Sequence, residues 1–116
     1  MNISIGIDIE DIKRFQKVIN DKKLQTKMFT DKELEYCKSK ADPLPHLAVR
    51  FAGKEAVIKA FSDVGVRVEM NSIEIINNEL GVPQVSVKGI DDFSIKVSLS
   101  HSGEMAVASA VVIKDD

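Results

Sequence analysis

A single cysteine, Cys37, is the whole thiol complement of this 116-residue chain. It can form no internal disulfide and no thiolate metal cage, a pattern that fits a reducing compartment. Cys37 stands in a polar helical stretch with no sequence neighbour to activate it, and it reads as passive rather than nucleophilic. Long apolar runs are also missing: none approaches the ~20 residues of a membrane-spanning helix, and Met1 leads straight into a strand pattern rather than a signal-type segment. Nor is there an excess of positive charge. The 16 basic and 18 acidic residues give a formal net charge of −2, which argues against general nucleic-acid or anionic-membrane affinity while allowing a local basic face. Repeats, linkers and low-complexity tracts are absent. The expectation is one soluble, cytoplasmic domain over residues 1–116, with 44% apolar residues to build a modest core.

From Ile3 to Ile9 apolar residues alternate, placing Ile3, Ile5, Ile7 and Ile9 on one strand face and Ser4, Gly6 and Asp8 on the other. Glu10 lies two residues beyond Asp8, so both carboxylates share a side while the strand continues. Asp11 reads as an N-cap followed by Ile12, Phe15, Val18 and Ile19 at helical spacing. Lys13, Arg14, Lys17, Lys22, Lys23, Lys27 and Lys32 make this helix and the segment after it the one basic region. Thr30-Asp31-Lys32-Glu33 has capping-box spacing and starts a second, short helix running to about Lys40. Asp42-Pro43-Leu44-Pro45 reads as a loop. A third helix from about His46 to Phe61 carries Ala48, Ala52, Gly53, Ala56 and Ala60, small side chains that allow close approach of a neighbour. Period-two patterns then follow: Ser72 to Asn77 and Val82 to Val87 around an Asn78–Gly81 turn, and Ser94 to Ser100 and Met105 to Ile113 around Ser102-Gly103-Glu104. The tally is an α+β domain.

Helical spacing puts Ala48, Ala52, Glu55 and Lys59 on one stripe. Glu55 and Lys59 form either an ordinary i,i+4 pair on a solvated face or part of a site, and their alanine and glycine neighbours weaken the first account. Arg50 and Lys54 are a second i,i+4 pair, of like charge, which repels unless an anion bridges it. One small phosphate cannot reach all four residues, so the ligand is extended or another chain supplies a wall. Asp8, Glu10 and a further carboxylate such as Glu55 would give the two or three oxygen ligands of a Mg²⁺ site that keeps several waters. The other reading of Glu10 is a helix cap. His101 sits at a turn that exposes backbone N–H groups, where it is either an anion donor or plain surface, and His46 is assigned to surface.

In combination these segments resemble the holo-acyl-carrier-protein synthases, the short single-domain branch of the 4′-phosphopantetheinyl transferases. The residues that carry the resemblance are Gly6-Ile7-Asp8-Ile9 with Arg14, Phe29-Thr30 with Glu33, Arg50-Phe51-Ala52 with Lys54-Glu55-Ala56 and Lys59-Ala60, and Ser98-Leu99-Ser100-His101 leading to Ala106-Val107-Ala108. The resemblance implies that family's fold, an antiparallel sheet packed against a long central helix and two shorter ones. It implies Mg²⁺-dependent transfer of the phosphopantetheine arm of coenzyme A to a serine of apo acyl carrier protein, releasing adenosine 3′,5′-bisphosphate. Asp8 and Glu55 match the magnesium ligands. Glu55 is the candidate acceptor of the serine proton, and Lys59 faces the diphosphate and assists its departure. Arg50, Lys54 and His101 match the coenzyme-binding wall, with Arg50 and His101 near the nucleotide and its 3′-phosphate. Arg14, helped by Lys13 and Lys17, meets the acidic helix of the carrier protein.

Homotrimers with active sites between subunits are the branch's usual assembly, which would supply the missing wall beside Arg50 and Lys54. Glu10 departs from the short branch and resembles the Asp-x-Glu of the longer transferases. Gly53 stands where alanine is frequent, a change expected to loosen the helix without touching the chemistry. The tryptophan often found before the first hairpin strand is absent, leaving the coenzyme-facing loop Val66–Met70 uninformative. Two competing readings are an inert domain that docks an acidic helix and a metal-dependent nucleotide hydrolase. The identity of the carrier and the choice between fatty acid and polyketide pathways stay open.

Overall fold

Isoleucines at every second position start the chain as a strand, and the computed structural model, which describes residues 2–114, runs β1 over Asn2–Asp11. Asp11 ends it by accepting from the Lys13 N–H, but the turn that follows, Ile12–Gln16, is a 3-10 helix rather than the start of a long α-helix. The β-branched pair Val18-Ile19 and the turn formers Asn20-Asp21 interrupt the helical spacing. Asp21 then caps a new helix, α1 (Lys22–Met28), by accepting from Leu24 N–H. The helix expected over residues 12–19 is therefore only a 3-10 turn, and α1 arises in the segment after it, where no helix is expected; the two are locked together where buried Gln25 donates to the carbonyls of Val18 and Ile19.

Helix α2 (Asp31–Lys38) begins at the expected capping box: Thr30 Oγ1 accepts from Glu33 N–H while Glu33 accepts from Thr30 N–H. Helix α3 (Pro43–Asp63) starts earlier than its spacing suggests. Asp42 caps it by accepting from Leu44 N–H at 3.2 Å, and Pro43 and Pro45 fall in the first turn. Backbone N–H groups there have no intrahelical carbonyl to meet, so proline costs nothing and the expected loop is helix.

Strands β2 (Ile73–Asn77) and β3 (Pro83–Val87) pair as the expected hairpin, with Asn78 Oδ1 accepting from the N–H groups of Leu80 and Val82 across the turn. Strands β4 (Ser94–Ser102) and β5 (Met105–Lys114) meet at a two-residue turn where Gly103 adopts a φ of +58°. The five strands form two antiparallel sheets, β1-β5-β4 and β2-β3. Helix α3 lies between them. Ala52, Ala56, Val57, Ala60 and Phe61 of the helix are buried against Ile73 and Ile75 of β2 and Ala108, Ala110 and Val112 of β5. Each of the larger side chains here, Val57, Phe61, Ile73, Ile75 and Val112, contributes about 1.5–3 kcal/mol, and each alanine methyl about 0.8 kcal/mol.

The side of β1 that faces α3 is the small and polar one. Ser4 and Glu10 are buried, whereas Ile3, Ile5, Ile7 and Ile9 are 58–74% exposed. Cross-strand register puts Ile113, Val111 and Val107 of β5 opposite Ile3, Ile5 and Ile9, with Ser109 opposite Ile7, so the β1 side of this sheet's outer face is largely apolar while the β4 side carries Lys96, Ser98 and Ser100. Gly53 has a packing role that helix propensity alone does not convey. A Cβ there would come within 2.8 Å of Ile75 Cδ1 and 2.9 Å of Leu99 Cδ2.

Candidate active site

Gly6 and Ser4 decide how close β1 lies to α3. A Cβ at Gly6 would fall 2.0 Å from the Ala56 carbonyl oxygen, and Ser4 Oγ donates to the Ala60 carbonyl at 2.6 Å. The strand therefore runs directly over the helix backbone, and the next residues on the same face, Asp8 and Glu10, are carried to the helix stripe holding Glu55 and Lys59. Lys59 Nζ donates to Asp8 Oδ1 at 3.2 Å and to the Ile7 carbonyl at 2.9 Å. The other oxygen of Asp8, Oδ2, is buried with no hydrogen-bond partner. Glu55 is held above the ordinary carboxylate range by burial first and then by the charge of Asp8, with Lys59 opposing. Glu10 is pushed up to about 7 by burial, then by the neighbouring Asp8 carboxylate, while Arg14 pulls the other way. Arg14 Nη1 donates to Glu10 Oε1 at 2.8 Å.

Three carboxylates thus crowd one seam of the molecule with Lys59 and Arg14 for relief. A lone buried carboxylate oxygen beside carboxylates that resist ionisation is what a divalent cation would satisfy. The residues fit Mg²⁺ held by Asp8 and Glu55: a hard ion that takes one or two carboxylates and keeps waters matches this oxygen-only set. Among the described residues no three histidine, cysteine or carboxylate side chains converge as a complete cage.

This crowding sets a pH dependence. A carboxylic acid whose folded-state value is raised binds more protons folded than unfolded, so it favours the folded state at low pH, and that contribution is lost as pH rises. Without divalent cations, stability should fall between pH 4.5 and 7, the window from the ordinary to the raised value of Glu10. Thermal melts of wild type and Glu10→Gln across that window check this. The variant should have the flatter profile, and parallel profiles would contradict it.

The other expected site residues are dispersed. Lys54 is fully buried, its Nζ donating to Glu33 Oε1 at 2.6 Å, with burial lowering its pKa and Glu33 opposing. It faces the interior between α2 and β2, which corrects its assignment to a coenzyme-binding wall. Glu33 also supplies the neutralising charge that the like-charged Arg50–Lys54 pair was expected to obtain from an anion. Arg50 is only 2% exposed. Its Nη2 donates to Asn77 Oδ1 at 2.7 Å, its guanidinium lies 4.2 Å from the Tyr36 ring centroid, and its Nε has no partner. No carboxylate pairs with Arg50 among the described residues, so it remains a cation held by neutral groups.

His101 is exposed on β4 and close enough to His46 to help lower the pKa of that half-buried ring, an effect led by burial and then by Arg50. His46 packs edge-on against Tyr36, so it belongs to the Arg50 cluster rather than to open surface. Arg14, Lys13 and Lys17 are exposed together after β1, with Lys13 paired to Glu104. Burial pushes the Cys37 thiol up to about 11, consistent with its passive reading.

Sequence spacing did not single out Tyr36 or Asn77, the partners of Arg50, or the second role of Glu33, which accepts from Ile75 N–H at 2.8 Å and so ties α2, α3 and β2 together. A cleft of about 480 Å³ opens beside Glu55, lined by Ile58, Ser62, Val66, Arg67 and Met70. The Val66–Met70 loop, silent in sequence, forms one of its walls.

Residues 4–112 match the family model for the 4′-phosphopantetheinyl transferase superfamily, ACPS. A holo-[acyl-carrier-protein] synthase of Geotalea daltonii is 42% identical over 121 aligned residues, covering 94% of this chain and 96% of the relative. Another from Chlorobaculum parvum is 40% identical over 114, covering 95% and 97%. Among solved structures, a holo-(acyl-carrier-protein) synthase from Bacillus anthracis in complex with CoA (3′,5′-ADP) superposes with a TM-score of 0.82 at 30% identity, covering 97% of this chain and 96% of that one.

Proposed function

The chain belongs to the 4′-phosphopantetheinyl transferase superfamily, and we infer that it acts as its holo-acyl-carrier-protein synthase relatives do, moving the 4′-phosphopantetheine arm of coenzyme A to apo acyl carrier protein. The observation that carries the site assignment is the unpartnered, buried Oδ2 of Asp8, a carboxylate whose other oxygen binds Lys59 on the helix stripe that also holds Glu55. The coenzyme would enter by the cleft beside Glu55, with the acidic carrier approaching the basic cluster of Arg14, Lys13 and Lys17. Local charge of that kind steers an acidic protein even to an enzyme of net charge −2.

In the reaction a serine oxygen bonds to the phosphorus that carries the pantetheine arm, the diphosphate P–O bond breaks, and adenosine 3′,5′-bisphosphate leaves. Mg²⁺ held by Asp8 and Glu55 would supply charge neutralisation on the diphosphate. Glu55 is the group we assign to accept the serine proton, directly or through a water. The Lys59 ammonium meets the negative charge that develops on the departing phosphate. Arg50 and His101 complete the nucleotide end. Incubating the protein with apo carrier, coenzyme A and Mg²⁺ and weighing the carrier tests this. A gain of the phosphopantetheine mass is expected, whereas carrier binding without added mass would indicate a docking domain, and coenzyme breakdown without transfer a hydrolase.

We propose further that three copies assemble through the isoleucine face of β1, with each site completed by a neighbour. Seven apolar residues of β1 and β5 on one sheet face, four of them more than half exposed, form a surface of the sort that marks an interface rather than a solvated wall. Ile5→Asp should yield a monomer by light scattering, with coenzyme affinity and turnover each reduced at least about tenfold because one wall of the site is gone. A monomer with full coenzyme affinity and normal turnover would refute the shared site.

A further inference from the structure

We propose that Glu10 is a positioning residue for the carrier-docking surface: its carboxylate holds the Arg14 guanidinium in a fixed direction, so that the free edge of the fork meets an acidic helix already aimed. This rests on the reading above that Arg14 faces the carrier protein.

The pair joins a rigid end to an open one. Glu10 is 8% exposed by side chain, paired in register with Ala106, whereas the Arg14 side chain is 61% exposed. The turn that bears Arg14 is itself pinned, since Ile12 N–H donates to the Glu104 carbonyl at 2.8 Å. Only the long side chain of Arg14 is left to be ordered, and Glu10 Oε1 orders it by accepting from Nη1 at 2.8 Å. Nη2 and Nε remain for a carboxylate, which an arginine fork can grip with two bonds. Lys13 is taken up by Glu104, leaving Arg14 as the cation of this cluster that the buried seam itself orients. An ordinary exposed i,i+4 pair has both ends in solvent and orders little. Here one end belongs to the interior.

The sign of the effect separates positioning from simple charge. Deleting a carboxyl group beside the docking face cannot by itself weaken attraction for an acidic partner, whereas releasing Arg14 should weaken it. Carrier affinity by calorimetry, in the absence of coenzyme A, is compared for wild type, Arg14→Ala, Glu10→Ala, Glu10→Gln and the Glu10→Ala/Arg14→Ala double variant, each checked by its melting curve. Glu10→Ala should weaken carrier binding about 3- to 10-fold, the effect of freeing one long side chain. Glu10→Gln, which keeps the acceptor oxygen, should restore binding to within about twofold, and the double variant should be no weaker than Arg14→Ala alone.

Three outcomes overturn the proposal. If Arg14→Ala weakens binding while Glu10→Ala does not, the tether is wrong and the docking assignment stands. If Arg14→Ala has no effect, both fall. If Glu10→Gln abolishes the Mg²⁺-induced rise in melting temperature, Glu10 serves the cation rather than Arg14.

Discussion

Gly6→Ala is expected to lower the melting temperature by about 10 °C or more and to cut turnover by about 100-fold in whatever fraction still folds. The added methyl would lie 2.0 Å from the Ala56 carbonyl oxygen and 2.9 Å from the Ala60 nitrogen, both parts of the α3 backbone, which cannot swing aside as a side chain can. Strand β1 must lift. Overpacking of this kind costs about 1–3 kcal/mol, and about 1 kcal/mol more follows if Ser4 loses its 2.6 Å bond to the Ala60 carbonyl. Catalysis suffers separately, because Asp8 lies two residues along the same face and moves away from Glu55 with the strand. Circular-dichroism melts and carrier-mass assays at low temperature read the two effects independently. A variant melting within a few degrees of wild type with turnover intact would mean that close contact of strand and helix is dispensable.

Asp8→Asn should behave in the opposite way toward stability. The substitution keeps the size of the side chain and removes one of three crowded carboxyl charges, so the cation-free protein should melt at the same temperature or higher. The charges of Glu10 and Glu55, both held up in part by Asp8, become easier to carry. Turnover should drop at least about 1000-fold, the scale of removing a principal electrostatic group from a transfer site. Mg²⁺ should raise the melting temperature of wild type through binding to the folded state alone and leave the variant unmoved. A variant that still responds to Mg²⁺ would remove Asp8 from the ligand set. Greater stability with lost activity is the trade expected where like charges are held together for function.

The two variants probe different layers of the same design. Asp8 and Glu55 lie far apart in the chain and come within reach of each other's charge only because Gly6 lets strand and helix touch. Glu33 and Lys54 do comparable work on the far side of α3. Their buried pair is neutralised internally and fixes the helix against β2 through Ile75 N–H, without contributing charge to the cleft.

Local patterns were readable wherever short-range chemistry decides. Thr30 and Glu33 announced the start of α2, Asn78 to Gly81 the hairpin turn, and the alternation around Ile95, Val97 and Leu99 the fourth strand, because capping, turn formation and period-two alternation depend on residues a few positions apart. The carboxylates of β1, the Glu55–Lys59 stripe and the basic segment were legible for the same reason. Spacing could not choose among partners that arrive from other elements of the chain. Lys54 and Arg50 looked like one cationic wall, yet each found a different neighbour, Glu33 for one and Asn77 with Tyr36 for the other.

The amino-acid order by itself determined which residues of β1 share a face, where α2 begins and which charges travel together, since these follow from backbone geometry and nearest neighbours. Only the tertiary structure decided that β1 turns its serine, glycine and carboxylates toward the helix and its isoleucines outward. Periodicity is symmetric between two faces, and the choice falls to whichever surface fits the helix closely enough: here Gly6 against the backbone of Ala56, a fit that the larger isoleucines cannot make.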